Sequence, residues 1–206
     1  MDIILASHNK NKIKELKDLL SDSCFTGVSV KSLSDIGFFD EIEEKGSSFE
    51  ENAMIKATAL KRDDAIIVSD DSGLCVNALN GAPGVYSARY SGEGATYKSN
   101  NELLLKNMEG AADRSATFVT VVACVLPDGS SFTVRGERPG IILDSLRGEG
   151  GFGYDPLFYI PEMGKTFAEL SPEEKNAVSH RGMAMRAFVK RLKSIFGRDE
   201  AEMTKQ

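Results

Sequence analysis

The chain has 206 residues, which suits one domain of roughly 150 residues with additions, or two intimate lobes. Apolar residues at 41% and charged residues at 27% are ordinary globular proportions, so wholesale disorder, a fibre and a coiled-coil rod are excluded. With 25 Lys and Arg against 31 Asp and Glu the formal charge is −6. A grip on long nucleic acid or an anionic membrane is therefore not expected, whereas a small anionic ligand needs only local positive charge.

Ile3-Ile4-Leu5-Ala6 is an unbroken apolar run ending in Ser7 and His8, the pattern of a short strand buried on both faces. Asn9 is placed to cap a helix in which Ile13, Leu16 and Leu20 recur at helical spacing while Lys10, Lys12, Lys14 and Lys17 stay wet. Val28 to Leu33 reads as a second strand and residues 40–46 as an acidic loop. Ser47 and Glu50 form a capping box for a helix through about Arg62. Ala65-Ile66-Ile67-Val68 reads as another buried strand, stopped by the turn vocabulary of Asp70-Asp71-Ser72-Gly73.

After a loop rich in Gly and Tyr, Ser99 and Glu102 make a second capping box for a helix carrying Leu103, Leu104 and Met108. Ala116 to Leu126 and Ser131 to Gly136 flank Pro127-Asp128-Gly129-Ser130 as a hairpin, and Leu157 to Ile160 is one more short strand. Ser171, Pro172 and Glu173-Glu174 supply an N-cap, a first-turn proline and acidic first-turn residues for a C-terminal helical region ending near Phe196. Strands and helices alternate early and a hairpin follows, so an α/β fold is expected, with a mixed sheet covered by helices. Residues 1–197 form the domain and the polar tail 198–206 is expected to fray.

Cys24, Cys75 and Cys124 are an odd number, far apart and without a CxxC pair, so neither a disulfide framework nor a zinc site is encoded. Met1 to Ala6 is too short and too acidic for a signal peptide, and residues 118–126 fall well short of the roughly 20 apolar residues of a membrane helix. A cytoplasmic location without membrane attachment is the expectation.

Glycines are unevenly placed: six lie between Gly136 and Gly153 and four between Gly81 and Gly94, beside Tyr86, Tyr90, Phe152 and Tyr154. Two such loops point to a ligand site, although turn geometry alone explains one. Ser7-His8-Asn9-Lys10-Asn11-Lys12 lies between a strand and a helix, where free N–H groups and the helix dipole favour a phosphate, though no P-loop glycines are present. Asp70 and Asp71 at a strand's carboxyl end would suit Mg²⁺, as would Glu43-Glu44, and ordinary turn and surface roles fit both pairs as well. His8 and His180 have no second histidine at zinc-binding spacing. Lys175, His180 and Arg181 gather cationic character on one helical region.

Six segments taken together, Ser7-x-Asn9-x-x-Lys12, Glu43-Glu44-x-Gly46-x-x-Phe49-x-Glu51-Asn52-Ala53, Asp70 to Leu74, Gly81 to Tyr90, Gly151 to Pro156 and Glu174 to Arg181, resemble the inosine triphosphate pyrophosphatase family in the same order. The resemblance runs from residue 3 to about 192. It implies a long twisted mixed sheet flanked by helices, with two lobes enclosing a cleft, and a homodimer. It also implies Mg²⁺-dependent hydrolysis of ITP, dITP and XTP to the monophosphate and pyrophosphate, clearing these nucleotides from the precursor pool.

By position, the resemblance puts the segment from Ser7 through His8, Asn9, Lys10 and Asn11 to Lys12 at the phosphates and Glu43 and Asp71 at the metal, with the choice between Glu43 and Glu44 open. Asp71 is also the implied base for the attacking water. Ser72, Phe152, Gly153, Tyr154, Asp155, Lys175, His180 and Arg181 complete the implied nucleotide site. Lys45 stands where a threonine is common. A nucleotide hydrolase of another specificity and a non-catalytic nucleotide-binding regulator remain open readings of the same pattern.

Overall fold

The computed structural model describes residues 2–8, 12–14, 16–17, 28–60 and 62–203, with 197–203 as backbone alone. Among these, seven strands join in one sheet: β1 (Asp2–Leu5), β2 (Ser29–Ser32), β3 (Ala65–Val76), β4 (Ser115–Val125), β5 (Ser131–Ile142), β6 (Phe158–Ile160) and β7 (Lys165–Thr166). Their order is β2-β1-β3-β4-β5-β6-β7. β1 pairs in parallel with β2 (Asp2 to Ser29) and with β3 (Asp2 to Ala65), whereas β6 is antiparallel to both β5 and β7, so the sheet is mixed. Four helices accompany it: α1 (Phe49–Thr58), α2 (Tyr97–Asn107), α3 (Pro172–Val178) and α4 (His180–Met203). Residues 12–14 and 16–17 are also helical. Leu20 and Cys24 lie outside the described residues, as does the end of the tail. Among the described residues no helix is long and apolar enough to cross a membrane.

The chain divides into two compact units, one of Met1–Asp71, Val121–Arg135 and Ala184–Gln206, the other of Ser72–Thr120 and Gly136–Met183. In the first, Ile3 and Leu5 on β1 and Ile66 and Val68 on β3 pack with Leu16, Met185, Phe188 and Leu192, all fully buried. Each such side chain withdraws apolar surface worth about 1.5–3 kcal/mol from water. In the second, Leu74, Leu104, Phe158 and Phe167 surround Phe118, whose ring lies 4.6 Å from Phe158 and stacks on Phe167 at 5.5 Å and 10°.

Several local expectations shift. α1 is capped by Ser48, whose hydroxyl accepts the Glu51 N–H, and it ends at Thr58 rather than near Arg62. α2 starts from Thr96, in a capping box with Ser99. The second hairpin strand continues past Gly136 to Ile142: a Cβ on Gly140 would come within 2.5 Å of the Phe158 ring, so a glycine is what lets β6 approach there. The Ser171 cap and Pro172 stand as expected, but the helical region breaks at Ser179 and resumes to Met203. Ser179 is extended, and its hydroxyl accepts the Gly182 N–H, so it caps α4 and sets His180 and Arg181 in the first turn.

The larger correction concerns β3, which runs through Asp70-Asp71-Ser72-Gly73 instead of stopping there. Asp and Ser end a strand when their side chains bind their own backbone. Here distant partners take those side chains. Ser69 donates to the Ala53 carbonyl and Ser72 shares a 2.8 Å bond with Thr120, while Asp70 and Asp71 meet lysines.

Candidate active site

In the first unit, the carboxyl ends of β1 and β2 open onto a cavity of about 250 Å³ lined by Ala6, Ser7, His8, Lys12 and Leu33, by Asp40 to Ile42 and Glu44 of the acidic loop, and by Lys56 and Asp70. Its floor follows from register: Leu5 is level with Val68, and the Ala6 N–H donates to the Val68 carbonyl at 2.7 Å, so β3 continues while β1 has ended. This is the edge at which parallel strands place ligands. Ser7, His8 and Lys12 of the expected phosphate segment are therefore at one cavity. Asn9, Lys10 and Asn11 lie outside the described residues.

Strand alternation sends Asp70 and Asp71 to opposite faces, so they do not act as the adjacent pair their spacing suggested. Asp70, with a fully buried side chain, meets Lys12 at 2.7 Å. Asp71 is 7% exposed and turns to the α1 face, where Lys56 Nζ is 3.7 Å away. Lys56 is also ion-paired with Glu44. Burial pushes the Asp71 carboxyl above the ordinary carboxylate range; Lys56 opposes the shift, Glu44 adds to it, and the Asn52 amide also opposes it. Of the two acidic-loop candidates, Glu43 is 74% exposed and paired with Lys45 at 2.9 Å, so Glu44 is the one beside Asp71.

Lys56 escaped the sequence reading. Its signal was a lysine between Ile55 and Ala57 in a helix whose Ala53 and Ala57 are wholly buried. No group of three His, Cys, Asp or Glu side chains converges among the described residues. Two hard carboxylates sharing one lysine still suit Mg²⁺, which is commonly held by one or two carboxylates with phosphate oxygens and water completing its shell.

The second unit gathers the other expected residues. Asp155 Oδ2 accepts the Phe152 N–H at 2.7 Å and Lys175 Nζ at 2.6 Å. Gly151 has a positive φ of 73°, and a Cβ there would fall 2.1 Å from Asp155 Oδ2, so this turn requires glycine. Lys175 Nζ lies 4.6 Å from the Phe152 ring centre and the Arg181 guanidinium 5.5 Å from it, cation–π distances that set both cations against one ring. Gly153 accepts from Asn101 at 2.9 Å. The buried Tyr154 hydroxyl donates to the Ser87 carbonyl at 2.9 Å, and burial pushes its phenol up. His180 is 7% exposed and stacks on Phe118 at 4.6 Å and 7°, which is a packing position.

A model of the Ham1 family matches residues 3–191. The chain is 52% identical to a dITP/XTP pyrophosphatase of Desulfotalea psychrophila over 184 residues, covering 89% of this chain and 81% of that one. It is 44% identical to a dITP/XTP pyrophosphatase of Clostridium perfringens over 201 residues, covering 93% and 97%. Among solved structures, the Staphylococcus aureus Ham1 protein superposes with a TM-score of 0.85 at 40% identity, covering 94% of this chain and 99% of that one. A Coxiella burnetii HAM1 protein gives 0.87 at 39%, with the same coverage.

Proposed function

The chain belongs to the Ham1 family, and from that premise we propose that it hydrolyses non-standard purine nucleoside triphosphates, ITP, dITP and XTP, to the monophosphate and pyrophosphate. The observation that carries the reading is the first unit's cavity, where Lys12 and Lys56 stand with Glu44 at the ends of parallel strands and Asp71 lies beside Lys56. Relatives at 44% identity and above bear the name dITP/XTP pyrophosphatase.

Asp71 takes a proton from water as the water oxygen attacks the α-phosphorus, and the bond from that phosphorus to the bridging oxygen breaks to release pyrophosphate. Asp71 and Glu44 would hold Mg²⁺, which would supply neutralisation of phosphate charge. Lys12 and Lys56, still beside their carboxylate partners, offer their remaining N–H donors to phosphate oxygens and meet the charge of the leaving group. Ser7 and His8 line the phosphate end.

We further propose a purine-stacking surface in the second unit. Phe152 presents an aromatic face, and Arg181, already against that ring, donates to the 6-keto oxygen of hypoxanthine or xanthine. Adenine carries a donor there and leaves the site's donor unpaired, a mismatch that discriminates strongly. Lys175 and the Gly153 backbone complete the binding surface, and Asp155 holds Phe152 and Lys175 in place. We also infer a homodimer, checked by light scattering on the purified protein.

The deciding experiment incubates the protein with ITP or ATP and Mg²⁺ and identifies the products. Pyrophosphate from ITP, with far less from ATP, is expected. Orthophosphate release would reassign the chemistry, and ITP binding without turnover would make the protein a nucleotide sensor.

A further inference from the structure

We propose that Asn52 is a positioning residue that clamps the acidic loop to α1, the helix tied to the strand bearing Asp71, and so sets the separation of the Glu44 and Asp71 carboxylates. The inference rests on reading those carboxylates as the catalytic pair. Asn52 lies inside α1 and is 0% exposed. An asparagine is a poor helix former, and burying its amide is costly unless both ends are used.

One end is used on the loop. Asn52 Oδ1 accepts the Gly46 N–H at 2.8 Å. The fit is close enough that a Cβ on Gly46 would sit 2.7 Å from that oxygen and 2.7 Å from Glu51 Cβ, so glycine at 46 and asparagine at 52 are matched. Glu51 adds a parallel tie, its carboxylate accepting the Ser47 N–H at 2.6 Å.

The other end is buried as well: Asn52 Nδ2 is withdrawn from solvent inside the packing of α1. Lys56 is one turn further along the same face of α1, ion-paired with Glu44 and 3.7 Å from Asp71. α1 is itself tied to β3 by the Ser69 bond to Ala53. Glu44 is thus held twice from one rigid helix, at its carboxylate by Lys56 and through the backbone two residues on by Asn52. An active site needs such support because a misplacement of about 1 Å can cost about 10²-fold in rate.

Two variants separate the two ends. Asn52→Ala removes both. Asn52→Asp keeps an acceptor for Gly46 but replaces the buried amide donor with an oxygen. Amide hydrogen exchange across residues 40–46, which needs no substrate, should speed up at least about ten-fold in Asn52→Ala and stay near wild type in Asn52→Asp. With ITP, each folded variant should lose at least about ten-fold in kcat while KM moves less than about three-fold, the split expected when bound substrate meets a misaligned base. Unchanged loop exchange in Asn52→Ala, or kcat within about two-fold of wild type in either folded variant, overturns the proposal. If Asn52→Asp does not fold, Asn52→Ala decides alone. A wild-type protein inert toward ITP would instead sink the hydrolase reading and leave the exchange comparison to judge the clamp.

Discussion

Lys12 Nζ lies 2.7 Å from Oδ2 of Asp70, a carboxylate whose side chain is entirely withdrawn from solvent, while Lys12 itself is 17% exposed. The lysine therefore has two duties, compensating a buried charge and offering a cation to the cavity.

These duties come apart in a pair of variants. Lys12→Ala should destabilise the fold by about 3 kcal/mol, because breaking a buried pair leaves its other charge uncompensated. It should also raise KM and lower kcat for ITP. Adding Asp70→Asn should recover most of the stability without restoring KM. Urea unfolding and ITP kinetics on both variants check this. A double variant with wild-type KM would confine Lys12 to the scaffold.

Asp71→Asn should lower turnover by at least about 10², the loss expected when a general base is removed. Its stability should move the other way. Burial raises the folded-state carboxyl above the 3.8 of an exposed aspartate. The folded chain therefore binds more protons than the unfolded chain in that window, and the associated stability is lost as pH rises through the folded value. Without magnesium, Asp71→Asn should melt no lower than wild type at pH 7, by differential scanning calorimetry. Near-wild-type turnover at saturating Mg²⁺ would remove Asp71 from the chemistry.

Arg181 is 8% exposed, with its guanidinium over Phe152. If it donates to the 6-keto oxygen, Arg181→Ala should cost ITP about 1.5–3 kcal/mol in kcat/KM, the value of a charge-assisted hydrogen bond. ATP never makes that bond, so its slow hydrolysis should barely change, and selectivity should narrow by roughly one to two powers of ten. An equal fractional loss for both substrates would assign Arg181 to the phosphates or the scaffold.

Cys124, next to the last residue of β4, is 0% exposed, and burial pushes its thiol up from 9.0 to about 12. The folded state keeps this proton where the unfolded chain releases it, so the contribution is intact below pH 9 and is lost as pH rises toward 12. Iodoacetamide at pH 8 should leave Cys124 unmodified in the native protein and label it in urea, read by peptide mass mapping. Equal labelling in the two conditions would contradict the buried thiol.

Much was legible in the sequence because it depends on neighbours along the chain. The apolar run from Ile3 to Leu5 lies in a strand and is buried on both faces. Asp128 accepts from Ser130 in the hairpin turn, and Ser171 with Glu174 caps α3, each within three residues. The motif residues Ser7, His8, Lys12 and Asp70 likewise meet at the first unit's cavity.

Only the tertiary structure decided what those motif residues touch. Asp70-Asp71-Ser72-Gly73 has the local chemistry of a turn, yet it continues as a strand because Lys12, Lys56 and Thr120, from 12 to 120 in the chain, take up its side chains. The same contacts divide two adjacent carboxylates between two faces, place Glu44 rather than Glu43 beside Lys56, and bring in Lys56 and Asn52, which no motif had singled out for a role. Local propensity is a matter of tenths of a kcal/mol to about 1 kcal/mol per residue, whereas an unmatched buried charge costs several, so where the two disagree the distant partner sets the outcome.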